Sequence, residues 1–340
     1  LAQVPRWIAQ RLGVAATVLL AFASLPARAD GPDVVVTIKP IHSLVAAVMQ
    51  GVGEPHLLID GGASPHTYAM KPSEVRRLNR AGVVIRVSNQ LETFLEKPLA
   101  ATAGQSRVVT LDRETPGLTL HDVRKSGDFE PHAHGTEHGA HAHGHRHQPA
   151  KTHASDTHIW LDPRNAKAIV QHVADVLAER YPDSAARFAE NAQALGARLD
   201  RLDANLAARL APVAGRPFLV FHDAYQYLER RYGLSGVGSV TVSPEVPPSA
   251  RRISELRARV AKDRIACVFA EPQFTPRVIT AIAEGTRVRQ GMLDPLGAGL
   301  PPGPDQYFST MEALAAHLAG CLAASDRASV LGSAKQNAAP

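Results

Sequence analysis

Short apolar runs rich in valine and isoleucine alternate, along most of this sequence, with stretches whose apolar positions recur every three or four residues. The first pattern reads as buried strand and the second as a helix facing a core. Strands are predicted at residues 34–39 (VVVTIK), 55–60 (PHLLID), 83–87 (VVIRV) and 107–111 (RVVTL). Helices are predicted around 44–49, over 73–81 behind the start signal Lys71-Pro72-Ser73, and over 91–101. A second series has strands at 217–221 (PFLVF), 237–242, 264–270 and 287–293. Its helices fall at 224–231, 249–261 and 276–284, with a closing helix at 306–323. Such alternation predicts an α/β fold of two lobes, each a mainly parallel four-stranded sheet flanked by helices.

Two helical patterns lie between the series, at 165–180 and 184–210. The second carries an apolar stripe of Phe188, Leu195, Leu199, Leu202, Leu206 and Leu210. At 1.5 Å per residue it is about 40 Å long, enough for one rigid linking helix. The expected organisation is an N-terminal lobe over 30–183, the linking helix over 184–212, a C-terminal lobe over 213–325 and a frayed tail over 326–340.

The periodicity fails between residues 121 and 158. Ten of the sixteen histidines fall in this window, among Gly, Ala, Glu and Pro. A segment without an apolar period cannot bury a core, so residues 121–153 are expected to form a mobile His-rich loop. His132, His134, His138, His141, His143, His145, His147 and His153 make it a candidate secondary metal-binding segment. The alternative is a merely solvated polar insert.

The N-terminus reads as an export signal. Arg6 and Arg11 precede an eleven-residue apolar run (GVAATVLLAFA), and Ala27-Arg28-Ala29 is a small-x-small cleavage site. The expectation is a leader over 1–29, cleaved after Ala29, and a soluble periplasmic protein. The formal charge of +5 hints at an acidic partner. Loss of Arg6, Arg11 and Arg28 takes the 37 basic residues to 34 against 32 acids, a charge of +2. Nucleic acid is then no longer implied. Export also makes Cys267 and Cys321 candidates for one disulfide, with two buried thiols as the alternative.

In open α/β sheets ligands bind beyond the carboxyl ends of the strands. The ionisable residues at those places are His66 after the second strand, His222 and Asp223 after PFLVF, Glu271 after CVFA, and Asp294 after the last strand. His158 stands just before the first linking helix. Three imidazoles and up to two carboxylates suit a metal, zinc first, since three histidines leave one tetrahedral position for water or a carboxylate. Each histidine taken singly is better explained as a helix-capping or hydrogen-bonded structural residue. Asp162 and Asp223 are expected to cap the helices that follow them. His42, His56, His172 and His317 have no convergent partner in this reading.

These landmarks resemble the zinc-binding solute-binding proteins of bacterial ABC uptake systems, the ZnuA type. The similarity rests on KPIHSLVAAVM (39–49), GASPHTYAMKPSEVRRL (62–78), HIWLDPRNA (158–166), FHDAYQYLE (221–229), CVFAEPQFTPRV (267–278) and LDPLG (293–297). The resemblance implies His66, His158 and His222 as zinc ligands, a Cys267–Cys321 disulfide and a His-rich loop at the place of the histidine cluster. It implies Zn²⁺ as transported ligand rather than catalytic cofactor, no enzyme activity, and an inner-membrane ABC permease as partner. A periplasmic zinc chaperone is a second candidate partner, and a monomer is expected. Some relatives carry an acid directly before the first histidine that serves as fourth ligand; here Pro65 stands there. The fourth ligand is then water, Asp294 or a loop histidine. Asp294 is thus a candidate fourth ligand or near neighbour. Glu271 is expected outside the ligand set, as a partner of a ligand or of the surrounding fold. The rival readings are a manganese or iron carrier of the same fold and a zinc-dependent hydrolase with Glu271 or Asp223 as base.

Overall fold

A computed structural model describes residues 31–101, 104, 106–124, 129 and 155–336, the last of them (324–336) as backbone only. The predicted leader lies outside the described residues. Among the described residues, eight strands form two sheets. The first holds β1 (Val34–Val36), β2 (His56–Leu57), β3 (Val83–Arg86) and β4 (Arg107–Thr110), in the order β2-β1-β3-β4. The second holds β5 (Pro217–His222), β6 (Ser235–Thr241), β7 (Cys267–Ala270) and β8 (Arg289–Met292), in the order β6-β5-β7-β8. Every pairing is parallel. The two sheets therefore share one topology, and each reverses its winding direction between its first and third strands. That switch point is where an open α/β sheet leaves a crevice at its carboxyl edge.

The helices are α1 (Lys39–Val48), α2 (Pro72–Leu78), α3 (Glu96–Ala101), α4 (Leu111–Glu114), α5 (Pro163–Arg180), α6 (Ala185–Leu210), α7 (Gln226–Tyr232), α8 (Ala250–Lys262), α9 (Arg277–Ala283) and α10 (Gln306–Gln336). Most boundaries lie within a few residues of the periodic pattern. Four differ. The first strand ends at Val36 because Pro40, in the first turn of α1, starts the helix at Lys39. The second is only two residues by pairing, yet Leu58 and Ile59 still donate to the carbonyls of Val36 and Thr37. The helix expected over 91–101 is a 3₁₀ turn (Thr93–Leu95) followed by α3, with Pro98 inside the latter. Helix α10 runs past Ser325, where a frayed tail is read from sequence.

Strand alternation divides the apolar residues. Val34, Val36, Val83 and Ile85 face one way, and Val35 and Val84 the other, against Leu58, Leu78 and Leu95. In the second sheet Phe218, Val220, Cys267 and Phe269 face inward, while Leu219, Phe221 and Val268 pack under α8 and α9 with Leu256 and Ile282. The inward faces of both sheets belong to a single core that includes α5, α6 and α10. The 26-residue α6, about 39 Å long, buries Phe188, Ala192, Leu195, Leu199, Leu202, Leu206 and Leu210 along its whole length. Helix α10 buries Tyr307, Met311, Leu314, Ala315, Leu318 and Leu322 in the same core. Cys321 is bonded to Cys267 of β7.

Polar contacts join the lobes at their junction. Trp160 Nε1 donates to Pro295 O (2.9 Å), and Tyr307 Oη donates to Trp160 O (2.8 Å). The buried Lys39 ammonium donates to Ala298 O (2.8 Å) and Leu300 O (3.0 Å). Among the described residues no helix is long and apolar enough to cross a membrane.

Candidate metal centre

His66 lies in the loop between β2 and α2. Its N–H reaches Ser64 Oγ (3.3 Å) in a serine turn, and Thr67 N donates to Ser64 O. Glu74 closes the far end of this loop, accepting from Tyr68 Oη and from Lys71 N, each at 2.7 Å. His158 precedes the 3₁₀ turn Ile159–Leu161, and Asp162 caps α5 through Arg164 N (2.8 Å). His222 is the last residue of β5, at the switch point of the second sheet. The three side chains come from different segments and meet. One ligand atom from each lies within 4.8 Å of the other two. The ring centroids are 5.2–5.7 Å apart.

Carboxylates set the direction in which these rings point. His158 Nδ1 is 2.7 Å from Asp156 Oδ1, and His222 Nδ1 is 2.8 Å from Glu271 Oε1. Both carboxylates are buried, so each takes the hydrogen on that Nδ1. The Nε2 lone pairs of His158 and His222 then face each other at 3.3 Å. Two such nitrogens at that distance need a proton or a metal cation between them. Nitrogens bound at about 2.0–2.1 Å to a tetrahedral zinc stand about 3.3–3.4 Å apart, which matches. His66 completes the set: its Nε2 is buried without a hydrogen-bond partner, and its Nδ1 lies 3.5 Å from the half-exposed Glu245.

The electrostatics follow from burial and these partners. Burial, with the charges of His158 and His222, drives the His66 pKa down to about 2, so this imidazole stays neutral. Burial disfavours a charged His222, but the Glu271 carboxylate, together with Asp223 and Asp156, raises its pKa above the usual histidine value. Asp156 is buried too, yet the charge and hydrogen bonds of His158 hold its carboxyl below the ordinary range. A cleft of about 250 Å³ opens onto the three histidines, lined also by Asp156, Asp223 and Glu245.

The other sequence candidates fall outside the cluster. Asp294 does not join the three imidazoles. Its oxygens accept from Leu296 N, Gly297 N and Ala298 N and from Gln273 Nε2, so it organises a turn rather than presenting a lone pair to the cleft. Asp223 does not cap α7. It pairs with Arg124 (3.2 Å), which also binds the buried Glu229. Of the four histidines set aside, His42 is buried against Pro55 O. The eight loop histidines, His132 to His153, lie outside the described residues. Asp156 and Glu245 escaped the sequence reading. Asp156 was findable, as an acid two residues before a candidate ligand, but its Nδ1 contact depends on the turn that folds it back. Glu245 carries no such signal, because only the tertiary fold brings it to His66.

Residues 34–321 match the family model described as the zinc-uptake complex component A, periplasmic. The chain is 41% identical over 327 residues to the high-affinity zinc uptake system protein ZnuA of Brucella abortus (strain 2308), covering 92% of this chain and 98% of that one. It is 36% identical to the protein of the same description from Yersinia pestis, covering 93% and 98%. A crystal structure of ZnuA superposes with a TM-score of 0.69 at 25% identity, covering 86% of this chain and 99% of that one.

Proposed function

The chain belongs to the periplasmic zinc-uptake component A (ZnuA) family, and from that premise we propose that it captures Zn²⁺ in the periplasm and delivers it to an inner-membrane ABC permease. His66, His158 and His222 are the ligands in this reading, with the ion bound through the three Nε2 atoms. The observation that carries it is the His158–His222 Nε2 pair at 3.3 Å, with both Nδ1 atoms taken by buried carboxylates. An all-imidazole donor set favours zinc over manganese, whose sites contain more carboxylate.

The protein acts as a carrier rather than an enzyme. Asp223, one candidate base of a zinc hydrolase, is paired with Arg124. The shared core and the long α6 favour small movements at the cleft over a wide swing of the lobes. A cleaved leader ending at Ala29, a monomeric state, a periplasmic chaperone partner and a zinc-collecting His-rich loop belong to the same proposal. Tethered near the cleft, such a loop raises the local zinc concentration.

Zinc calorimetry on the whole protein, beside a variant with His66, His158 and His222 all changed to alanine, tests the reading. One tight site is expected in the first and none in the second. Tight binding that survives the triple change, or displacement of zinc by manganese at comparable concentration, refutes it.

A further inference from the structure

Charge is unevenly placed along this chain. Residues 249–289 carry nine basic and four acidic side chains, leaving 28 of each sign in the rest. The whole formal charge of +5 therefore belongs to one segment, and the remainder falls to −3 once the expected leader is removed. The segment builds α8, β7, α9 and the first residue of β8. One of its four acids, Glu271, is buried at the metal centre. Nine cations are thus set against three acids in the rest of it.

Strand pairing gathers part of this charge at one end of the second sheet. Phe218 of β5, Cys267 of β7 and Arg289 of β8 stand in one row. Arg216, Arg264 and Arg287 lie two or three positions outside that row, at the amino edge, and Lys262 ends α8 just before Arg264. Lys262, Arg264 and Arg287 are exposed, and their side chains have no hydrogen bond or ion pair among the described residues. Burial and the nearby charge of Arg216 lower the Arg289 pKa, so like charges crowd here. The acids at this end are engaged: Asp263 accepts from Arg259 Nε (3.1 Å), and Glu284 lies 3.9 Å from Arg257. Arg264 is also the one non-glycine residue with a positive φ (52°) among the described residues. It follows the C-cap of α8, where glycine is usual, so a cation stands where the backbone disfavours any side chain.

Such an edge fits a broad anionic surface better than a protein partner. Guanidinium groups bind phosphate oxygens through paired N–H donors. A protein interface gathers apolar anchors at its centre. The large exposed apolar side chains of the described residues are Leu120, Val123, Val242, Val246 and Met292. None lies at this edge: Leu120 and Val123 precede the linking helices, Val242 and Val246 follow β6, and Met292 ends β8. We propose that the amino edge of the second sheet is a docking surface for the phosphodiester headgroups of an anionic bilayer. Strand β5 rises about 17 Å from Pro217 to His222, at about 3.3 Å per residue, so lipid contact at this edge leaves the metal cleft uncovered. Weak adsorption keeps a carrier in the plane where a membrane permease is met. The surface is remote from the three histidines, so the inference goes beyond the zinc-capture reading and does not depend on it.

The test is co-sedimentation of the whole protein with vesicles of phosphatidylglycerol and phosphatidylethanolamine, beside vesicles of phosphatidylcholine. Binding is expected to the first kind alone, and it should weaken as added salt shortens the screening length. A basic residue near an anionic surface is worth about fivefold in partitioning, so changing Lys262→Gln, Arg264→Asn and Arg287→Gln together is expected to weaken binding by about 100-fold. Asparagine suits the left-handed backbone at 264. Changing three exposed cations of the N-terminal lobe, Arg76, Arg77 and Arg80, to glutamine is expected to leave vesicle binding near wild type. Circular dichroism checks folding, and Arg287→Gln alone, with an expected loss of about fivefold, replaces the first variant if it unfolds. Equal binding to both vesicle types, binding indifferent to salt, or equal losses in the two triple variants overturns the proposal. So does a protein that ignores both vesicle types, the outcome expected if the edge meets an acidic protein instead. Zinc affinity is expected to stay at the wild-type level in the Lys262, Arg264 and Arg287 variant, so failure of the docking surface and failure of zinc capture are read separately.

Discussion

Replacing Asp156 by asparagine isolates one of the carboxylates behind the ligands. Asp156 Oδ1 accepts from the Nδ1 (2.7 Å) and the backbone N–H (3.0 Å) of His158, and Oδ2 lies 3.3 Å from Gln226 Nε2. Asparagine has the same shape and can still present an oxygen to Nδ1, so ring orientation is largely kept while the charge is lost. The carboxylate would stand roughly 6–7 Å from an ion bound at Nε2, where unit charges attract by about 2.5 kcal/mol at an effective dielectric constant near 20. A dication feels twice that in the Coulomb sum, reduced by solvation and rearrangement around the free site. Outer partners of metal-bound histidines are worth about 10–100-fold in affinity, or about 1.4–2.7 kcal/mol. We therefore expect Asp156→Asn to weaken zinc binding by that factor. The assay is a competition titration against a chelator of known affinity, at fixed pH and salt, with circular dichroism to check folding. Wild-type affinity in a folded Asp156→Asn variant would refute the argument that these carboxylates tune the imidazoles.

Three further outcomes are expected. Because the His222 pKa is raised above 6.5, below that raised value the empty site carries a proton that zinc must displace. Affinity then falls by about tenfold per pH unit on descending through this range; His66, near 2, contributes nothing to it. Calorimetry in buffers of different ionisation enthalpy counts the proton, and a pH-independent affinity between 5 and 7 contradicts the assignment. Replacing both Cys267 and Cys321 by serine opens a cross-link between residues 54 apart in sequence. The chain-entropy model gives a loss of about 4 kcal/mol, to be read from urea unfolding; an unchanged midpoint would show that the bond adds nothing. Gly236→Ala places a methyl against the buried Glu229 carboxylate, which is tied to Arg124. A destabilisation of about 1–3 kcal/mol is expected in the same assay, and a stability equal to wild type would mean that Glu229 yields freely.

Much of the fold was legible because its signals are local. The apolar runs at β1, β3 and β5 are buried on both faces, so they read as continuous apolar strands. The stripe on α6 repeats at helical spacing because one face of that helix is buried throughout. Edge elements were less legible. The pairing of β2 depends on the neighbouring β1, and β6 begins two residues earlier than its pattern suggests, with an irregular step opposite Phe218 and Leu219. In α3 a proline inside a short helix obscured the period.

The site divides along the same line. Sequence alone determined that His66 and His222 follow strands and that His158 precedes the first linking helix, and therefore that the three could face one crevice. It also determined that Cys267 and Cys321 were the two available thiols. Only the tertiary structure decided how those groups are used. Asp294 and Glu271 look alike in sequence, each an acid directly after a strand. The turn at 294–298 surrounds the first with N–H donors, while the close approach of β5 and β7 sets the second against His222. Likewise nothing local predicts that Glu245 reaches His66, or that Gln273 shares a chamber with residues from both lobes. Residue type and strand position are encoded along the chain. The partner that fixes a side chain's charge, tautomer and direction is set by segments far away in sequence, and it exists only once the two sheets have packed on their common core.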